Sequence, residues 1–147
     1  MTSKTGYAAE IFSKGFNCAQ AVLASHCEDL GLPDTIAKKI SCGFGGGMGN
    51  LDGVCGAVAG TIMLIGLKYG KYTETDKESK EKTFEVIKKF TDRFKKEFGS
   101  INCTELIHHN LSNKDELLSA RESGVFKKLC PAFVKRAVEL TEELLEL

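Results

Sequence analysis

Fifteen consecutive residues without a charge, from Gly53 to Leu67, limit the folds open to this chain of 147 residues more than any other segment. A membrane-spanning helix needs about 20 apolar residues, and this glycine-containing run is shorter. Its core, VCGAVAGTIMLIGL, is apolar on nearly every side of a helix, so other elements have to cover it all round. The segment therefore predicts a buried central helix over residues 52–69, whose small residues let neighbouring helices approach closely.

The rest of the chain has helical periodicity, and no run alternates in the way that strands require. Ala8, Ile11 and Phe12 share one face of a first short helix. Further helices are predicted at about residues 17–30, 33–40, 75–98, 102–109, from 112 onwards, and from 131 nearly to the end. The sequence thus predicts an all-α fold, a single compact helical domain over residues 1–147 with about six to eight helices around a Gly/Ala-rich central one.

Composition limits the class of protein. Twenty acidic residues balance twenty basic ones, which gives no basic surface for nucleic acid and no polybasic anchor for a membrane. The first residues, MTSKTGYAAE, lack the apolar core of a signal peptide. We therefore expect a cytoplasmic protein with no membrane insertion, in which cysteines more often bind metals, carry out redox chemistry or fill the core than form disulfide frameworks.

The predicted helix over residues 75–98 has an aromatic stripe. Phe84, Phe94 and Phe98 recur at helical spacing, and Phe90 widens the stripe, while the opposite face is Lys and Glu. This face packs either inside the chain or against a second copy, so a homodimer is a possible partner arrangement.

A glycine-rich segment, SCGFGGGMGNLDG at residues 41–53, precedes the central helix. Glycine is unfavourable inside helices and suits positive φ, so the segment predicts an irregular and closely packed connection. It contains neither the Gly-x-Gly-x-x-Gly frame nor the Gly-x-x-x-x-Gly-Lys-(Ser/Thr) motif of nucleotide-binding loops. Close packing against a buried site is the interpretation that we favour over phosphate binding.

Two of the six cysteines occupy the same local setting. The stretches NCAQ at residues 17–20 and NCTE at residues 102–105 both have an asparagine suited to cap a helix and a Gln or Glu three positions later. This spacing is that of a capping box, which makes Cys18 and Cys103 the first residues of their helices.

Two more cysteines are also predicted at helix starts. Cys55 follows Asp52, a plausible cap, by three residues, and Cys130 directly precedes Pro131, which suits the first turn of a helix. A helix N-terminus favours an anion and lowers the pKa of a cysteine, so it favours the thiolate that attacks disulfides and binds metals. Four such thiols suit a set of thiolates that meet in one site.

The other candidate ligands have a weaker basis. Cys27 and Cys42 have no cap signature, so core packing is the favoured interpretation for both. His108 and His109 follow Cys103 on the same short helix, where surface exposure is more common than metal binding, and metal binding is no more expected of His26. The roles of these residues stay open at this point.

Several of these segments together resemble a known family. NCAQAVL and CGFGGGMGNLDGVCGAVAG, followed by a cysteine in NC and a last one before the C-terminal helix, are similar to the redox-active protein family named for its cysteine pattern, C_GCAxxG_C_C. The resemblance runs from Cys18 to Cys130 and implies redox activity at Cys18, Cys55, Cys103 and Cys130, the four that the helix starts indicate. A related domain in split-Soret-type cytochromes is associated with haem and an iron–sulfur centre, but this chain has no Cys-x-x-Cys-His motif for covalent haem.

Two redox mechanisms fit these four cysteines, which are the predicted catalytic, cofactor-binding and metal-binding residues. In the first, the thiolates hold an iron–sulfur cluster, for which ligation by four cysteines is usual. In the second, one thiolate attacks a disulfide of a redox partner protein and another cysteine resolves the intermediate. We favour the cluster, because a dithiol relay needs only two cysteines. Either mechanism makes the protein an electron carrier or an oxidoreductase.

The alternatives are not redox functions. Zinc readily takes four cysteine ligands, so the site is alternatively that of a zinc-stabilised helical binding module. In a further class, the cysteines are only core residues of a helical interaction protein.

Overall fold

The computed structural model describes residues 3–147 and is built from α-helices. Eight of them form the fold: α1 (Lys4–Ser13), α2 (Cys18–His26), α3 (Asp34–Ser41), α4 (Gly56–Tyr69), α5 (Lys77–Phe98), α6 (Cys103–Ile107), α7 (Lys114–Ser123) and α8 (Val125–Leu145). Short 3₁₀ turns follow α2 and α3. The prediction of an all-α fold with six to eight helices is confirmed.

Helix α4 lies at the centre and packs against α2, α5 and α8. Its first six residues are buried, as are Leu64 and Ile65. The close approach of α4 to α2 depends on glycine, because a Cβ at Gly60 would lie 2.9 Å from the carbonyl oxygen of Ala19. The predicted Gly/Ala-rich central helix is confirmed, although its last turn reaches the surface at Leu67.

The aromatic stripe of α5 packs inside the chain. Phe90 and Phe94 are fully buried, and the ring of Phe98 lies edge-on to that of Phe133 in α8 with centroids 5.0 Å apart. The prediction is wrong at Phe84, which is 63% exposed. Six residues place it about 120° around the helix from Phe90, outside the buried face. Because the stripe is buried, a second copy cannot pack against it. A homodimer through another surface stays a prediction.

Helix starts were the least accurate part of the prediction. α4 begins at Gly56 rather than near Asp52, because Asp52 has a positive φ of 60° and lies in the preceding loop. Helix α7 begins at Lys114 rather than at residue 112, and the side chain of its cap, Asn113, accepts two backbone N–H groups. Of the helices within residues 3–147, none combines the length and apolarity needed to cross a membrane.

His26, in the last turn of α2, is a buried histidine between two carboxylates. Its Nδ1 lies 3.6 Å from Asp29 and its Nε2 lies 3.9 Å from Glu142. Within the described residues neither ring nitrogen has a hydrogen-bond partner. Burial lowers the pKa of His26, and this effect exceeds the opposing one of Glu142. The ring is therefore neutral in the folded protein at neutral pH.

We expect His26 to make folding stability depend on pH. As the pH falls below about 6.5, the unfolded chain takes up a proton that the buried ring resists, so the free energy of unfolding decreases by up to about 1.4 kcal/mol per pH unit until the folded protein also protonates. Urea unfolding between pH values of about 7.5 and 5.5 measures this. His26→Gln should flatten the slope and the exposed control His108→Asn should not; equal slopes for wild type and His26→Gln would contradict the prediction.

Candidate functional site

Four cysteine side chains from four helices meet in one place. Cys18 and Cys103 are the first residues of α2 and α6, Cys55 directly precedes α4, and Cys130 lies in the second turn of α8. All four line one cavity, and each of them shifts the pKa of at least one of the others. The structure thus brings together the four cysteines that the sequence singled out.

A complete capping box positions Cys18. The Asn17 side-chain oxygen accepts the backbone N–H of Gln20 at 3.0 Å, and the Gln20 side-chain oxygen accepts the backbone N–H of Asn17 at 3.0 Å. The remaining amide N–H groups reach out of the helix: Asn17 donates to the carbonyl of Cys42, and Gln20 donates to that of Lys38. Both bonds fix the start of α2 against α3 and the segment that follows it.

A single antiparallel β-bridge sets Cys55 beside Cys103. The backbone N–H of Cys55 donates to the carbonyl of Ile101 at 2.8 Å, and the N–H of Cys103 donates to the carbonyl of Gly53 at 3.0 Å. Because each hydrogen bond involves the backbone of a cysteine, the bridge fixes the backbone positions from which both side chains extend.

The predicted capping box before Cys103 does not form. The side-chain amide of Asn102 donates to the carboxylate of Glu105 at 3.1 Å instead of accepting a backbone N–H. Asp52, predicted to cap α4, instead accepts the hydroxyl of Thr104 in α6 at 2.5 Å. The loop before α4 is thereby tied to the start of α6, which reinforces the contact between the two elements that carry Cys55 and Cys103.

The glycine-rich segment packs against these helix starts. Around residues 45–48 it makes one tight turn, in which Gly46 and Gly47 have positive φ values of 66° and 77°. A Cβ at Gly47 would lie 2.9 Å from the Cβ of Cys103, and one at Gly45 would lie 2.4 Å from the side chain of Asn17. The predicted irregular and closely packed connection is confirmed, and glycine is required for its approach to the cysteines.

Cys130 is not at a helix start. Helix α8 begins at Val125 and continues through Pro131, so Cys130 lies in the helix and not at its cap. The prediction relied on the preference of proline for first helical turns, but this helix continues through its proline, despite the loss of one backbone hydrogen bond and the crowding of the carbonyl four residues earlier. Gly124, in the left-handed conformation, separates α8 from α7 and sets the earlier start.

Cys18 and Cys130 are neighbouring thiols that shift each other's pKa. The Cys130 side chain is the main cause that raises the pKa of Cys18 far above its usual range, and burial and the other cysteines add to it. Cys18 in turn lowers the pKa of Cys130, against the effect of burial. The pair therefore loses its first proton from Cys130, and Cys18 keeps its own.

Burial dominates at the other two cysteines. It raises the pKa of Cys55 to about 11, although the backbone N–H groups of Ala57 and Val58 at the start of α4 lower it. Burial and the neighbouring thiols raise the pKa of Cys103 to about 12. The expectation that helix starts would make these cysteines acidic is wrong, because desolvation outweighs the favourable helix end. Free thiolates are disfavoured here unless positive charge accompanies them.

A cavity of about 960 Å³ opens beside the four thiols. All four cysteines line it, and so does Cys42, which is exposed, so the prediction of core packing is wrong for this cysteine. The cavity continues between α1, α7 and α8 along an apolar wall. Its lining residues come from distant parts of the chain, so no local sequence pattern marks them.

The remaining candidates lie elsewhere. Cys27 is fully buried in the core, as predicted, with its sulfur near the carbonyl of Ala24. His108 is exposed in the left-handed conformation, and the His109 ring contacts the carbonyl of Ile107, so neither lines the cavity. Within residues 3–147, no group of three or more His, Cys, Asp or Glu side chains is arranged to hold a metal ion.

Comparison with known proteins identifies the family. The family model described as "Putative redox-active protein (C_GCAxxG_C_C)" matches residues 16–144, which is most of the chain and includes all four clustered cysteines. The chain therefore belongs to this family. Neither the curated proteins nor the solved structures include a significant match to it.

Proposed function

We propose that this protein is an electron-transfer protein in which Cys18, Cys55, Cys103 and Cys130 hold an iron–sulfur cluster. The observation that carries the proposal is the mutual proximity of all four thiols around one cavity. Membership of a family described as redox-active supports it at the coarser level. When bound, such a cluster accepts and donates single electrons.

The chemistry of the donor set fits an iron–sulfur cluster. The cavity lining contains five cysteines and, among the described residues, no His, Asp or Glu. Burial, with a smaller effect of the neighbouring cysteines, raises the pKa values of Cys55 and Cys103, and iron would supply the positive charge that buried thiolates need. The close glycine packing keeps the elements that carry the ligands rigid.

A zinc site fits less well. Zinc–sulfur bonds of about 2.3 Å in a tetrahedron require sulfurs about 3.8 Å apart in every pair. Among the described residues, no three or more His, Cys, Asp or Glu side chains are arranged to hold a single metal ion, whereas a cluster distributes its four ligands over several iron atoms. We therefore keep the zinc-stabilised binding module only as an alternative that the experiment below distinguishes from the cluster.

The opposite pKa shifts of Cys18 and Cys130, which line the same cavity, favour a second candidate, a dithiol–disulfide couple. The Cys130 thiolate would attack a disulfide of a partner protein, form a mixed disulfide and expel one partner thiolate. Cys18 would give its proton to that thiolate and attack the sulfur of Cys130, which releases the second partner thiolate. Two electrons would pass to the partner, and a Cys18–Cys130 disulfide would remain.

Anaerobic purification of the full chain distinguishes these functions. We expect iron and acid-labile sulfide in similar amounts, a broad visible absorption that dithionite bleaches, and loss of colour when a chelator removes the iron. The measurements are iron, zinc and sulfide per chain, visible and paramagnetic resonance spectra, and mass spectrometry of the cysteines.

Two results would contradict the cluster. A colourless protein that takes up no iron on reconstitution and contains a reversible Cys18–Cys130 disulfide would favour the dithiol couple. Bound zinc with no change on reduction or oxidation would favour the zinc module.

A further inference from the structure

The cavity is larger than the cysteines and a small inorganic cluster require. Its volume of about 960 Å³ is at the upper end of the range of about 300–1,000 Å³ that is typical of binding sites for organic molecules. Away from the thiols it is lined by Phe12, Phe16, Leu117 and Phe126, all of which are only half-buried. Half-buried aromatic rings that surround a concave space can gain apolar contact when a ligand fills it.

The charges at this cavity have one sign. Arg121 in α7 and Lys127 in α8 are its charged residues, and no Asp or Glu of the described chain lines it. Both side chains are exposed, and within residues 3–147 neither lies within 4.0 Å of a carboxylate. The two positions flank the turn at Gly124, so they are close along the chain as well as part of the same lining.

We propose that this cavity binds a small organic anion with an aromatic or otherwise apolar body. The body would lie against the half-buried aromatic wall, and its carboxylate or phosphate would be bound by Arg121 and Lys127. Guanidinium groups bind such anions through paired hydrogen bonds, and no carboxylate of the lining opposes the anion. This inference concerns binding alone and does not depend on which redox chemistry the cysteines carry out.

The test compares two bicyclic probes that differ in charge, 2-naphthoate and neutral 2-naphthol. Each is titrated calorimetrically into the anaerobically purified full chain. The test variant is Arg121→Gln/Lys127→Gln. The control is Lys114→Gln/Lys128→Gln, which removes the same charge from exposed lysines of α7 and α8 that do not line the cavity.

We expect naphthoate to bind at one site and more tightly than naphthol. The test variant should weaken naphthoate binding about tenfold, since two charge-assisted contacts are lost, and should leave naphthol binding within about twofold. The control variant should change neither. Circular dichroism and thermal unfolding establish that both variants are folded.

Three results would overturn the inference. They are the absence of saturable naphthoate binding, an equal loss of naphthoate affinity in both double variants, and an equal loss of naphthol and naphthoate affinity in the test variant.

Discussion

Iron bound per chain is expected to fall to about a tenth or less when any one of four cysteines is replaced by serine: Cys18, Cys55, Cys103 or Cys130. Serine keeps the size of the side chain and removes the soft thiolate ligand. Because the four thiols are mutual neighbours at one cavity, each loss leaves an incomplete ligand set of three. Iron and sulfide analysis after reconstitution under identical anaerobic conditions measures the effect.

Cys42→Ser and Cys27→Ser are the matched controls. Cys42 lines the same cavity but is exposed, and Cys27 is buried in the core on its own. Both variants should keep the iron content of the wild type. A different pattern, in which only Cys18→Ser and Cys130→Ser abolish redox activity, would contradict the cluster and identify the dithiol couple. Far-ultraviolet circular dichroism separates loss of iron from loss of the fold.

The sequence predicted the fold well because its signals are long and consistent. The uncharged run from Gly53 to Leu67 could be stable only as a covered helix, and it became the buried centre of the domain. Hydrophobic periodicity over the 22 residues of α5 likewise predicted this helix correctly, despite a small error in where it begins. The prediction failed at Phe84, because the apolar stripe was taken to be wider than the face of the helix that is buried.

The four cysteines were predicted partly for the wrong reason. Asn17 and Gln20 form the expected capping box, and Cys18 begins its helix. Cys130 was assigned to a helix start because proline follows it, yet α8 extends through that proline. The glycine directly before the true start of α8 also indicated a helix boundary, but the prediction relied on the proline instead.

The electrostatics of the site depend on burial and therefore on the whole fold. Helix ends favour thiolates, as the backbone of Ala57 and Val58 does for Cys55, but desolvation is larger and raises the pKa. Sequence spacing indicates where a helix starts and not how deeply that start lies. In the same way, Arg121 and Lys127 resemble ordinary solvated helix residues until the tertiary structure places both in the lining of the cavity.

Two glycine-to-alanine changes in α4 are expected to shift stability in opposite directions. Gly60→Ala would place a Cβ 2.9 Å from the carbonyl oxygen of Ala19 and 3.0 Å from the Cβ of Val22. Since a backbone atom cannot rotate away, α2 and α4 would have to separate. Overpacking of this kind costs about 1–3 kcal/mol, and the better helix propensity of alanine offsets less than about 1 kcal/mol of it.

Gly66→Ala provides the control in the same helix, because a Cβ there would meet no atom within 4 Å. It should raise the free energy of unfolding by about 0.5–1 kcal/mol through helix propensity alone. Gly60→Ala should lower it by about 2 kcal/mol, which corresponds to a melting temperature about 4–8 °C lower. Urea and thermal unfolding of the three proteins measure both changes. If Gly60→Ala were as stable as Gly66→Ala, α2 and α4 would not be in the close contact that holds Cys18 beside the start of the central helix.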